Sequence, residues 1–337
     1  METNQNQKEA NNLGQPGHEE QAADSTFYFT ANEGGISKID TLTNKVIESI
    51  EVEGTVHNVQ ISPENKMIGI TIVPSGGHGG HEGHEGHGGH GTKNEKAALY
   101  DAKTNELIKE IYSGAHPAHI VFTENNQFVL VTNTGDNNVS VIDMKTYEVV
   151  RTIPTGNGPH GLRISADSKF AYIANMNENT VSVIDLGKME ETKKIVVGNV
   201  PITTGITKDG KTLVATLNSE NSLAIVDVAS EKVEKVKVGK GPAQVYIQSD
   251  DKYAWVANQG TFGNPSNSVT KVDLETKEAI ATIEVGNGAH GIVTSKDNKF
   301  VYVTNMYDNT VSVIDIEKNE VITTVNVGEN PNGITIQ

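Results

Sequence analysis

Residues 300–315 read FVYVTNMYDNTVSVID, and close copies of this stretch recur along nearly the whole chain. They read FVLVTNTGDNNVSVID from Phe128, FAYIANMNENTVSVID from Phe170 and TLVATLNSENSLAIVDV from Thr212. Looser copies start at Tyr253 and Phe27, and one more is split into MIGITIV from Met67 and AALYD from Ala97. Within each copy apolar and polar residues alternate and β-branched residues dominate, the pattern of a half-buried strand. Taken from His160, one unit parses into HGLRIS, FAYIAN, TVSVID and KIVVG, four strands joined by polar turns. The aspartate closing the third strand recurs at Asp40, Asp101, Asp143, Asp185, Asp227, Asp273 and Asp315, mostly 42 residues apart. Four-stranded antiparallel units at this period predict an all-β, seven-bladed β-propeller. The chain begins its first unit on a second-strand sequence, FYFTAN, and ends on a first-strand sequence, NGITIQ. The C-terminal strand is therefore expected to complete the N-terminal blade and leave no open sheet edge.

The recurring aspartates each precede a turn, where a carboxylate accepts backbone N–H bonds, so a structural role is expected of them. Residues 1–25 carry few large apolar side chains and read as a flexible polar tether, leaving 26–337 as the propeller. Lys and Arg number 27 against 43 Asp and Glu, a net charge of -16, which disfavours a phosphate-backbone partner such as nucleic acid. No run of apolar residues reaches the length of a membrane span. Cysteine is absent, which excludes disulfides and thiolate chemistry and agrees with an oxidising, extracytoplasmic compartment. The polar N-terminus suits a secreted or lipid-anchored protein whose signal has been removed.

YVTN at 302–305, NTVSVID at 309–315 and the VGxxPxG-like connector between units resemble the YVTN-family β-propellers. That family's relatives include surface-layer proteins, lactonase-type propellers and the propeller domains of nitrous-oxide and cytochrome nitrite reductases. The resemblance covers roughly residues 27–337 and implies the propeller fold. Nitrous-oxide reductase gathers propeller histidines around copper, but the present chain has fewer such histidines and no cysteine.

The largest departure from the repeat is a His/Gly-rich loop at 74–95, which lengthens the spacing between Asp40 and Asp101 to 61 residues. It places His78, His81, His84, His87 and His90 three apart, with Glu82 and Glu85 between them. Neutral imidazoles on a glycine-rich backbone suit Zn, Cu, Ni or Co ions. A second candidate metal site comes from the connectors entering the first strands, which carry His57, His116, His119, His160 and His290. Met176 and Met306 follow the adjoining second strands. Strand direction puts these residues and the histidine loop at the same mouth of the channel.

The reading is a non-catalytic, monomeric, extracytoplasmic propeller that binds a transition metal through its histidine loop, for storage or delivery. One alternative is a cell-surface scaffold for another extracytoplasmic protein. A second is a lactonase-like hydrolase or metal-assisted lyase, for which Arg163 is the guanidinium nearest the histidines in sequence.

Overall fold

Each unit's apolar stripe is one residue wide on either face of a strand, so a lone unit cannot cover itself and must stack on its neighbours. The computed structural model describes residues 26–75 and 95–337 and shows this stacking. Val121, Leu130, Val139, Val141 and Ile153 of one sheet meet Leu162, Ile164, Ala171, Ile173 and Ile184 of the next. The outermost strands are solvated, as in Glu148–Pro154, where Ile153 alone is buried. Full burial of a Val, Leu or Ile side chain contributes about 1.5–3 kcal/mol, so the faces between sheets carry most of the stabilisation.

The strands are antiparallel and form a propeller with four strands per blade in its regular part. Counted as hydrogen-bonded sheets among the described residues, however, the blades number six rather than the seven expected. Five sheets have four strands and one has six. The six-stranded sheet holds the first two sequence repeats, linked through the Lys45–Ile61 strand. Its residues 45–51 pair with Phe27–Asp40 and its residues 55–61 with Met67–Val73. The reason lies in the connector. Three residues lie between buried Val52 and Val56, whereas five lie between the matching Ile153 and Pro159, so the shorter link runs on as strand. The Phe27–Asp40 strand also folds its two ends side by side, with Thr41 N donating to Thr26 O at 3.1 Å. The axis is lined in closed order by Ile334–Ile336, residues 55–61, Pro117–Phe122, Pro159–Ile164, Pro201–Ile206, Pro242–Ile247 and Ala289–Thr294.

Closure occurs as expected: Ile336, Thr335 and Ile334 pair with Tyr28, Phe29 and Thr30. The letters of the repeat also acquire physical meanings. Its threonine crosses to the next inner strand, Thr71 Oγ1 donating to Ala118 O at 2.6 Å and Thr132 Oγ1 to His160 O at 2.6 Å. Its asparagine braces the third strand, as in Asn133 to Ser140 (3.0 Å), Asn175 to Ser182 (2.8 Å) and Asn305 to Ser312 (2.9 Å). Its aspartate caps the following turn. Asp143 Oδ1 accepts from Lys145 N and Thr146 N, and Asp315 Oδ1 from Glu317 N and Lys318 N. These bonds hold the Asp143 and Asp315 carboxyls below the usual carboxylate range.

Candidate metal centre

All inner strands point the same way, so their first residues form one rim of the channel. In the sheets whose inner strand belongs to a single blade, a β-bulge sits at this rim, between Pro117 and Ile120 and between Pro159 and Leu162. The register identifies two successive rim positions. The first holds His57, Ala118, His160, Ile202, Ala243, His290 and Asn332, and the second Asn58, His119, Gly161, Thr203, Gln244, Gly291 and Gly333. His119 thus sits one residue further along its strand than the other rim histidines. Matching histidine to histidine conceals this offset, and the prolines reveal it: His160 follows Pro159 directly, while Ala118 separates His119 from Pro117.

The offset brings three imidazoles together. His57, His119 and His160 are buried, and one ring nitrogen from each lies within 4.8 Å of the other two. Their ring centroids are 6.0 Å (His57–His119), 5.3 Å (His57–His160) and 4.9 Å (His119–His160) apart. His57 Nδ1 lies 3.0 Å from Ala118 O and His160 Nδ1 3.3 Å from Ile202 O. A carbonyl can only accept, so Nδ1 donates in both rings, which leaves the Nε2 lone pair for a ligand whenever the ring is neutral. Metal-ligating histidines are commonly oriented this way, the second ring N–H held by a carbonyl. His119 is set by its backbone, its amide donating to Thr132 Oγ1 at 2.9 Å. Thr132 therefore touches two members of the group, since the same hydroxyl holds His160 O.

The other candidates are placed elsewhere. His290 repeats the imidazole-to-carbonyl bond, with Nδ1 3.0 Å from Asn332 O and 3.4 Å from Gln244 Nε2, apart from the three grouped rings. This recurrence shows that the bond is a device of the rim and not in itself a mark of metal. His116 takes a left-handed backbone (φ 52°) in its connector, like Gly158 and Gly288 in theirs, and its amide contacts Glu95 Oε2 at 3.4 Å. Met176 and Met306 are buried, and Met306 Sδ accepts from Gln259 Nε2 at 3.3 Å. His78, His81, His84, His87, His90, Glu82 and Glu85 lie outside the described residues. The strand ends that flank them are described, and Val73 pairs with Thr55, two residues before His57. Glu95, on the other side, contacts the connector that leads to His119. Arg163 lies three residues beyond His160 on one strand, toward the opposite mouth.

Three imidazoles with no carboxylate among them would, in their neutral form, offer a nitrogen donor set that suits a borderline divalent ion. The missed signals were Thr132, whose role is that of a repeat letter, and the one-residue offset of His119.

Fold and rim together define a β-propeller with a histidine-lined channel mouth. More narrowly, the chain belongs to the YNCE-like beta-propeller family, whose profile matches residues 94–262 and 262–337. This bears out the resemblance to YVTN-type propellers read from the repeat. Among solved structures, the chain is similar to hydrazine synthase of Kuenenia stuttgartiensis (TM-score 0.70, 22% identity), over 86% of this chain and 92% of that one. It is also similar to a functionally unknown protein from Desulfotomaculum acetoxidans DSM 771 (TM-score 0.74, 15% identity), over 93% and 99%. At these identities the likeness concerns the fold. No curated protein matches the sequence.

Proposed function

We propose that this propeller is an extracytoplasmic, non-catalytic metal-binding protein whose metal seat is the His57, His119 and His160 group. The observation that carries this reading is the convergence of three buried ring nitrogens from three inner strands. The set suits Zn2+, Cu2+, Ni2+ or Co2+, and for a given nitrogen site Cu2+ binds tightest. The histidine run at 78–90 adds a second, looser set of ligands, joined to strand ends beside His57 and His119. In this reading it collects ions and passes them to the buried group. The extracytoplasmic assignment rests on the cysteine-free composition.

The test is a calorimetric titration of untagged, metal-free protein with Cu2+ and with Zn2+. One tight site is expected to persist when residues 76–91 are deleted and to vanish in His160→Ala. Loss of all tight binding on deletion of the loop, with His160→Ala binding as the parent does, would assign the metal to the loop alone and refute the buried seat.

A further inference from the structure

The far mouth of the channel carries chemistry that the metal reading does not use. Two adjoining cavities, of about 280 and 210 Å3, lie at the C-terminal ends of the inner strands and share Glu124, Arg163, Ile164, Tyr246 and Lys296. Pockets for small ligands start near this size, at roughly 300 Å3. Arg163 belongs to Pro159–Ile164 and Tyr246 to Pro242–Ile247, two inner strands further round, so their contact crosses the lumen. The guanidinium carbon sits 5.7 Å from the Tyr246 ring centroid, and one guanidinium nitrogen donates to Leu162 O at 2.9 Å. Neither Arg163 nor Lys296 takes part in an ion pair among the described residues. Burial draws the Arg163 guanidinium below its ordinary value and pushes the Tyr246 phenol up.

A half-enclosed guanidinium facing one carbonyl and one ring retains donors for an anion, in a protein whose net charge is -16. The shape of the cavity narrows the class. The fork of a guanidinium matches a carboxylate with two parallel N–H bonds. Around it, Ile61, Phe122, Ile164, Ile247 and Ile336 supply apolar wall, which suits a carbon skeleton better than a bare inorganic ion. We infer that this mouth binds a small organic carboxylate, its charged end on Arg163 and its apolar body against the surrounding isoleucines. Lys296, exposed at the rim, adds positive charge on entry, and the exposed Glu124 opposes it.

Trp255 offers a reporter. It is the single tryptophan, pairs with Tyr246 across neighbouring strands and donates to Gln248, which lines the smaller cavity. The probes are hexanoate and inorganic phosphate, titrated at constant ionic strength and followed by Trp255 fluorescence and calorimetry. Hexanoate is expected to saturate the parent protein and phosphate to bind much more weakly. Arg163→Ala is expected to abolish saturation, and Arg163→Lys, which keeps the charge and loses the fork, to weaken it about 10-fold. Glu124→Gln is expected to tighten it. If Arg163→Ala fails to fold, the Lys and Gln variants decide the matter. Absence of saturable hexanoate binding, equal affinity in Arg163→Lys, or preference for phosphate would each overturn the proposal. Metal titration of Arg163→Lys should match the parent, so this inference and the metal seat stand or fall separately.

Discussion

The Pro159–Ile164 strand carries His160 near one end and Arg163 near the other, and the two ends solve the same problem in different ways. At the histidine end three imidazoles are held by backbone carbonyls: His160 by Ile202 O, His57 by Ala118 O and His290 by Asn332 O. At the arginine end the cross-channel contact is between side chains, Arg163 over Tyr246. The histidine rim is built by the repeat, because the bulge and the crossing threonine recur from sheet to sheet. Nothing in the repeat supplies the arginine end. A rim histidine can therefore make this bond outside the three-ring group, as His290 does, whereas at the far end Arg163 shares its cavities with Lys296 and Glu124 and has no ion pair among the described residues.

Removing residues 333–337 should affect both ends most, since it takes away the strand that pairs with Tyr28 and Thr30. The expected outcome is loss of cooperative thermal unfolding near the parent's Tm, and an unchanged Tm would show that the ring does not depend on this closure. His160→Ala should separate the two ends, lowering metal affinity more than about 100-fold with the carboxylate titration unaltered. Thr132→Val removes a fully buried hydroxyl that serves both His119 and His160. It should cost about 1–3 kcal/mol in chemical denaturation, since a buried amide and carbonyl lose their partner. It should also weaken metal binding about 10-fold, the usual effect of losing a group that orients ligands. A loss of stability with full metal affinity would make Thr132 purely structural.

Acid should divide the molecule in another way. Asp40, Asp101, Asp143, Asp227 and Asp315 are held below the ordinary carboxylate value, chiefly by hydrogen bonds within their turns. A carboxylate with a depressed folded pKa contributes stability that is complete above its unfolded value, about 3.9, and is lost as pH falls through the folded value. Unfolding midpoints measured across pH should therefore hold down to about pH 4 and drop below it. Ligation needs neutral imidazole, so metal affinity should already decline below about pH 6.5, while the fold is intact. The smallest effect should come from deleting residues 76–91, which is expected to lower the number of ions bound and leave the tight affinity and the Tm nearly unchanged.

Much of the fold was legible because it is written seven times. The strand boundaries, the turn role of the aspartates and the closing strand follow from alternation and period alone. The number of separate sheets did not follow, because two residues fewer between Val52 and Val56 convert a break into continuous strand without altering any repeat letter. The site was half legible. His57 and His160 announce themselves beside the repeat, but their meeting with His119 depends on a bulge, and a bulge shifts which neighbour a side chain faces. Of the far mouth, Arg163 was visible as a residue and Tyr246 was not, since nothing in a strand sequence says what lies across a lumen.

The pairing of Ile334–Ile336 with the Phe27–Asp40 strand joins residues about 300 positions apart, a separation that makes this contact late and slow in folding. During synthesis the edge beginning at Phe27 must wait, with its backbone donors exposed, while every other sheet is made. An unpaired edge of this kind invites pairing with another chain. The same strand that seals the ring is therefore the one whose late arrival leaves that edge open longest.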